Sequence, residues 1–337
     1  MPASHSGTSP SLRSGFIFGD PSISKQIMRH AMDLSRSRKS RRLRLLTIAL
    51  FALSPLGGLH AGTPATPWAP AGISTPLFES HGAFDPTHDD FYFVRSSRGF
   101  IGWRIMVSHC EATGWDTPVD ASFAGDGVEA DPFVTADGKH LYFISTRSTD
   151  GVKHKDLDIW RVDRNSNGRW GEPQRLPAPV NSRGQEWFPR PSVDGWLYFG
   201  SDRPGGLGKT DIWRAHEDTP GHWRVENLGP SVNSAGDEYE PLPSPDGKRL
   251  IVMADGGLYQ SLREGDGWSP RVKLGPEVNV NGSEIGAAFS PSGKSLLFSR
   301  DTKGPLSGEL FLWQPDGHEA WPPACPRRSA SMSTDKR

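Results

Sequence analysis

Short apolar runs punctuate the chain at intervals of about fifty residues: Phe91-Tyr92-Phe93, Leu141-Tyr142-Phe143, Leu197-Tyr198-Phe199, Leu250-Ile251-Val252 and Leu296-Leu297-Phe298. Most follow an Asp-Gly or Ser-Gly turn, and each trails a glutamate: Glu79, Glu129, Glu186, Glu238 and Glu284. Runs this short, bounded by Gly, Pro, Asn and Asp, read as strands rather than helices. Several short strands per long period is the signature of a radial β architecture. One small sheet cannot bury both of its faces, so the units are expected to stack side by side and close into a ring.

Each unit reads as four strands. Strand a starts at the glutamate, with Pro132, Pro189 and Pro241 shortly after it in the middle units and Gly82 and Ala287 in the outer ones. The apolar triple is strand b. Strand c carries an aromatic (Trp103, Trp160, Trp213, then Tyr259 and Phe311 or Trp313), and strand d starts near Trp115, Trp170, Trp223 or Trp268. The connectors 176–181, 228–233 and 274–279 are near copies, each ending in Val-Asn. Residues 68–78 resemble an outer strand and connector with no unit before them, while the last unit lacks an outer strand. The economical expectation is an all-β propeller of five blades in which this N-terminal segment completes the last blade. A sixth blade would require strands from residues 301–337 that the pattern does not display.

The Pro-Asp-Gly-Lys-like turns, the apolar triples, Ser201-Asp202-Arg203-Pro204-Gly205-Gly206 and Asp211-Ile212-Trp213 resemble the WD-repeat-like β-propeller repeats of the TolB type. The resemblance covers roughly residues 66–315 and is strongest in units two to four. It implies an exported or periplasmic propeller, usually described as six-bladed, acting as a binding or scaffold module. The sequence departs from TolB itself in having no N-terminal α/β domain between leader and propeller, so no role in the Tol–Pal envelope complex is carried over.

The N-terminal sixty residues follow other rules. Arg36, Arg38, Lys39, Arg41, Arg42 and Arg44 precede an apolar run from Leu45 to Leu59, with Ala61 after it. This reads as a secretory signal peptide, too short and too broken by Pro55, Gly57 and Gly58 for a membrane span. The expected organisation is an extension and signal peptide at 1–61, the propeller at 62–325 and a disordered tail at 326–337, with a periplasmic or secreted location. The whole chain has a formal charge of −1, but residues 1–61 hold nine Lys/Arg and two Asp/Glu, which leaves −8 beyond the leader. An acidic balance of that size speaks against nucleic-acid binding. A monomer without a membrane span is expected after cleavage.

In a propeller, strand a lines the central channel, so Glu79, Glu129, Glu186, Glu238 and Glu284 recur around one mouth. They could bind a cation or a basic peptide group. Alternatively each accepts hydrogen bonds from its turn or from an arginine, Arg147 and Arg203 being candidates. Trp187, beside Glu186, could stack on a ligand. Asp163, Asn165 and Asn167 match the opening of a calcium loop, but Gln174 stands where a bidentate glutamate is needed, so a hairpin turn is the plainer reading and no metal is expected. Cys110 and Cys325 are a candidate disulfide joining first and last blades, or else two thiols.

No nucleophile elbow, zinc-protease motif or phosphate loop is present. The expected function is therefore a non-catalytic module, without cofactor, that binds a protein, peptide or glycan of the cell envelope. The alternative is a glycoside-processing enzyme using carboxylate pairs such as Glu186 with Glu238 or Asp131 with Glu186.

Overall fold

A computed structural model describes residues 62–97, 101–149, 151, 156–317 and 319–325; the expected leader and tail lie outside them. The described secondary structure is all β. It begins with a two-residue strand, β1 (Thr66–Pro67). Blade I contains β2 (Phe78–Phe84), β3 (Asp90–Ser96), β4 (Arg104–Glu111), β5 (Gly114–Trp115) and β6 (Val119–Asp120). Blade II contains β7 (Glu129–Val134), β8 (His140–Ser145), β9 (Asp158–Asp163) and β10 (Gln174–Arg175). Blade III contains β11 (Glu186–Pro191), β12 (Leu197–Ser201), β13 (Asp211–Thr219) and β14 (His222–Asn227). Blade IV contains β15 (Glu238–Pro243), β16 (Arg249–Ala254), β17 (Gly257–Glu264), β18 (Gly267–Trp268) and β19 (Val272–Lys273). Blade V contains β20 (Ile285–Phe289), β21 (Leu296–Arg300) and β22 (Glu309–Trp313).

Within each blade the strands pair antiparallel in chain order, and in blades I and IV the outermost strand is split into two pieces on the same neighbour. The innermost strands touch in the cyclic order β2, β7, β11, β15, β20 and back to β2. The chain is thus a five-bladed β-propeller, one blade fewer than the TolB-type resemblance implies.

Strand b of each blade is sandwiched between two neighbours, which is why its triple is apolar on both faces. Phe91, Phe93, Leu141, Phe143, Tyr198, Phe199, Leu297 and Phe298 are all wholly buried. Filling these seams supplies the main stabilisation, at about 1.5–3 kcal/mol for each large side chain taken from water.

Closure differs in detail from the expectation. The strand that completes blade V is Thr66–Pro67, pairing with Leu312 and Phe311, just ahead of the segment 68–78. Trp68 extends it by donating its N–H to Leu310 O at 2.9 Å. The rest of 68–78 serves as connector, with Ile73 buried in the seam between blades V and I. A second tie is covalent: Cys110 at the end of β4 is bonded to Cys325.

Candidate functional site

The five repeated glutamates share one arrangement. Each carboxylate accepts the N–H of the residue four positions before it: Thr75, Gly125, Ser182, Ser234 and Val280. Where that residue has a hydroxyl, the hydroxyl donates as well, as Ser182 does to Glu186 and Ser234 to Glu238, both at 2.6 Å. An arginine completes the set. Arg95, Arg147, Arg203 and Arg300 come from just beyond or at the end of strand b. Blade IV has Asp255 in that region, and Arg271 reaches in from beside the outer strand to Glu238 at 2.5 Å. Each guanidinium also donates to a connector carbonyl (Ile73, Phe123, Val180, Val232 or Val278). The strand-c aromatics lie under it in blades II to V, at Trp160, Trp213, Tyr259 and Phe311.

All five carboxylates are at most 3% exposed. Burial pushes Glu79 and Glu186 above the ordinary glutamate range, against the lowering effect of Thr75 and Arg95 on the first and of Ser182 and Arg203 on the second. Thus the side chains expected to ring the mouth are turned onto their own blades, where they fasten connector, strand b and strand c together. Glu129 Oε2 alone among their oxygens is buried with no hydrogen-bond partner among the described residues.

A different set of residues meets on the axis, two positions after each glutamate: His81, Asp131, Phe188, Glu240 and Gly286. All five adopt left-handed backbone, with φ of 52°, 57°, 55°, 53° and 66°. The strand pairing slips at this point in every blade, between Ser80 and Ala83 or its equivalent. Such a bulge re-aims a side chain out of the ladder. Left-handed backbone costs a residue with a Cβ about 1–2 kcal/mol, and Phe188 and Glu240 are among the types least suited to it. Gly286 has a steric reason as well: a Cβ there would lie 2.6 Å from His81 N.

The contacts across the axis join all five blades. Asp131 Oδ2 accepts the N–H of Phe188 at 3.1 Å, and Glu240 Oε2 accepts that of Gly286 at 2.6 Å. His81 Nε2 lies 3.3 Å from Glu240 Oε1 and 3.7 Å from Asp131 Oδ1. Its Nδ1 is 2.6 Å from Ser80 Oγ, and its ring stacks on Phe188 with centroids 5.3 Å apart. Arg190 is buried beside them, but its hydrogen bonds go to the main-chain oxygens of Asp131 and Pro189. Asp131 Oδ1 is buried with no hydrogen-bond partner among the described residues. Burial pushes the Asp131 carboxyl up to about 6; Glu240 adds to the rise, while His81, Arg190 and the Phe188 N–H oppose it. Of this cluster only Asp131 was singled out from sequence. The available signal was the contrast at one fixed offset from the glutamates, where a regular repeat suddenly reads His, Asp, Phe, Glu, Gly.

The remaining sequence candidates lie elsewhere. Asp163 accepts from His140 at 2.7 Å and pairs with Arg161, while Asn165 and Asn167 both accept the N–H of Arg169. These groups close the β9–β10 turn of blade II. Among the described residues no cluster of His, Cys, Asp and Glu is disposed to hold a metal ion. Trp187 packs edge-on to Tyr239 of the next blade, centroids 6.1 Å apart. A cleft of about 620 Å³ opens along the seam of blades I and II, where Trp170 Nε1 donates to Tyr92 Oη at 2.8 Å.

No family model matches the chain, and no curated protein matches it. Solved structures do. A TolB candidate from Agrobacterium tumefaciens is 16% identical, with 73% of each chain covered and a TM-score of 0.43. A family 117 glycoside hydrolase from Zobellia galactanivorans is 16% identical, covering 74% of this chain and 89% of that one, with a TM-score of 0.46. A gluconolactonase from Xanthomonas campestris is 13% identical, covering 75% and 98%, with a TM-score of 0.40. These are similarities only, and none bears on the chemistry of the axis.

Proposed function

We propose that this chain is an exported propeller that binds a protein, peptide or glycan of the cell envelope at its axial mouth, without catalysing a reaction. The observation that carries the reading is the behaviour of two neighbouring positions in the repeat. The glutamate is kept in all five blades and is consumed by the blade's own Ser, Thr and Arg groups. The residue two positions on keeps its left-handed backbone in all five blades but changes identity in each. A position held in costly geometry yet released from the repeat is where recognition chemistry is placed.

The test is a pair of arrays, one of peptides and one of glycans, probed with the leaderless protein and with an Asp131→Asn/Glu240→Gln double variant. Array signals should disappear in the double variant while its melting stays cooperative. Signals that survive would place recognition off the axis.

The second reading is glycoside processing, now with Asp131 and Glu240 as the pair in place of those expected from sequence. It is favoured by one observation: Asp131 Oδ1 has no hydrogen-bond partner among the described residues while both Glu240 oxygens have one, and an acid and a base need unlike environments. Both face His81 Nε2, at 3.7 and 3.3 Å, so those two oxygens are at most about 7 Å apart, no farther than hydrolytic carboxylate pairs stand. Turnover of aryl glycosides, lost in both single variants, would support this reading over the first.

A further inference from the structure

We infer that the guest selected at the axial mouth is an ammonium or guanidinium group, presented by a basic peptide. The inference rests on the binding reading above and names the class of ligand. Two carboxylates, Asp131 and Glu240, face one imidazole, His81, from two sides. The single guanidinium beside them, Arg190, donates to main-chain oxygens rather than to either carboxylate. With both carboxylates ionised, the groups around His81 sum to one net negative charge, two carboxylates against the Arg190 guanidinium.

The imbalance is local as well as formal. Asp131 Oδ1 is a buried acceptor with nothing donating to it among the described residues. A buried carboxylate oxygen in that state carries a desolvation cost that a docked N–H donor with positive charge removes. Phe188 is only partly buried and is stacked on His81, which puts an aromatic ring beside the carboxylates, a favourable neighbour for a cation. An anionic guest would meet two carboxylates. A neutral hydroxyl could bond to Oδ1 but would leave the charge uncompensated.

Proton and guest compete for Asp131. The titratable and charged groups facing it are His81 from β2, Glu240 from β15 and Arg190 from β11. Burial keeps this carboxyl protonated up to about pH 6, so affinity should rise as the pH is raised through that value.

The probe is a penta-lysine peptide, with the same peptide acetylated on every amine as its neutral counterpart, titrated calorimetrically into the leaderless protein. Glu172→Gln, which removes one exposed surface charge, controls for non-specific attraction to an acidic protein. The expected result is binding of the amine peptide and not of the acetylated one. Affinity should fall about tenfold or more in Asp131→Asn and in Glu240→Gln, as the loss of one charge-assisted hydrogen bond implies. Glu172→Gln should bind as the parent does, and affinity should weaken below pH 6. Equal losses in Glu172→Gln and the axial variants would overturn the inference by showing diffuse attraction. If the acetylated peptide bound as well as the amine form and only axial variants lost it, the guest would not be a cation, yet the mouth would remain the binding site. Binding that ignored both axial variants would overturn the site itself.

Discussion

Glu319 Oε1 accepts the hydroxyl of Ser292 at 2.6 Å, and Ser292 occupies the turn position held by Asp137 in blade II and Asp246 in blade IV. In those blades the aspartate accepts from its own turn: Asp137 from Thr135 Oγ1 and the Lys139 N–H, Asp246 from Ser244 Oγ and the Lys248 N–H. Blade V has lost the carboxylate, and the segment after β22 returns one from outside, with Glu319 Oε2 also accepting from Ser290 and Ser295.

Glu319→Ala should therefore lower stability by about 1–2 kcal/mol, and adding Ser292→Asp should restore most of it by rebuilding the turn's own acceptor. Urea melts of the two single variants and the double variant give the coupling. Although burial opposes it, hydrogen bonds from Ser292, Ser295 and Ser290 hold Glu319 below the usual glutamate range. The contribution is then full above that range and fades as pH falls through the depressed value.

Glu186→Gln should destabilise the propeller by about 1–3 kcal/mol, and Glu186→Ala by more, because each leaves the buried Arg203 without its carboxylate. Binding at the axis should be unchanged in whatever fraction remains folded. Chemical denaturation followed by the array assay measures both. A stable Glu186→Gln that lost binding would instead make the repeated glutamates the ligand groups.

Asp131→Asn should be more stable than the parent at neutral pH, by about 1–3 kcal/mol. The native carboxyl holds its proton up to about pH 6, against an ordinary value of 3.8. Its favourable contribution is thus complete below about pH 4 and lost as pH rises through 6. Parent and variant should melt alike at the acid end of this window and diverge across it. A parent that was the more stable protein at pH 7 would contradict a buried carboxylate with one oxygen, Oδ1, left without a hydrogen-bond donor among the described residues.

The two closures should be separable. Deleting residues 62–68 removes β1 and the Trp68 hydrogen bond, and should lower the melting temperature by several degrees. Thiol titration of denatured, unreduced protein should find no free thiol. Cys110→Ser with Cys325→Ser should destabilise by up to about 5 kcal/mol, since the bond closes nearly the whole propeller into a loop. Loss from the double deletion beyond the sum of the two would show that strand and disulfide secure the same seam.

How much of this was legible follows from what repetition displays. The apolar triples, the glutamates and the Val-Asn connectors stand out because they recur, and they mark the blades. Arg147 and Arg203 could be paired with their glutamates because they lie at nearly the same short offset, 18 and 17 residues on. Arg271 could not: it stands 33 residues from Glu238 and takes the place of a partner the repeat had lost. The same habit of looking for what stays constant hid His81 and Glu240, whose meaning lies in being different from one blade to the next. The left-handed bulge that aims them at the axis has no composition of its own. Thr66–Pro67 was missed for another reason, since two residues are too few to alternate.

The pairing of Thr66 with Leu312 also sets an order of events. The first strand among the described residues belongs to the last blade to be built, so its partner is missing while the intervening blades are made. Until Glu309–Trp313 arrives there is nothing for it to join, and the seam of blades V and I stays open to water. Closure of the ring consequently comes late and needs both ends of the propeller, Thr66–Pro67 and Glu309–Trp313, at once. A product truncated before blade V would keep four blades of sequence and an unmatched strand, and quality-control proteases would meet it as an open edge rather than as a smaller ring.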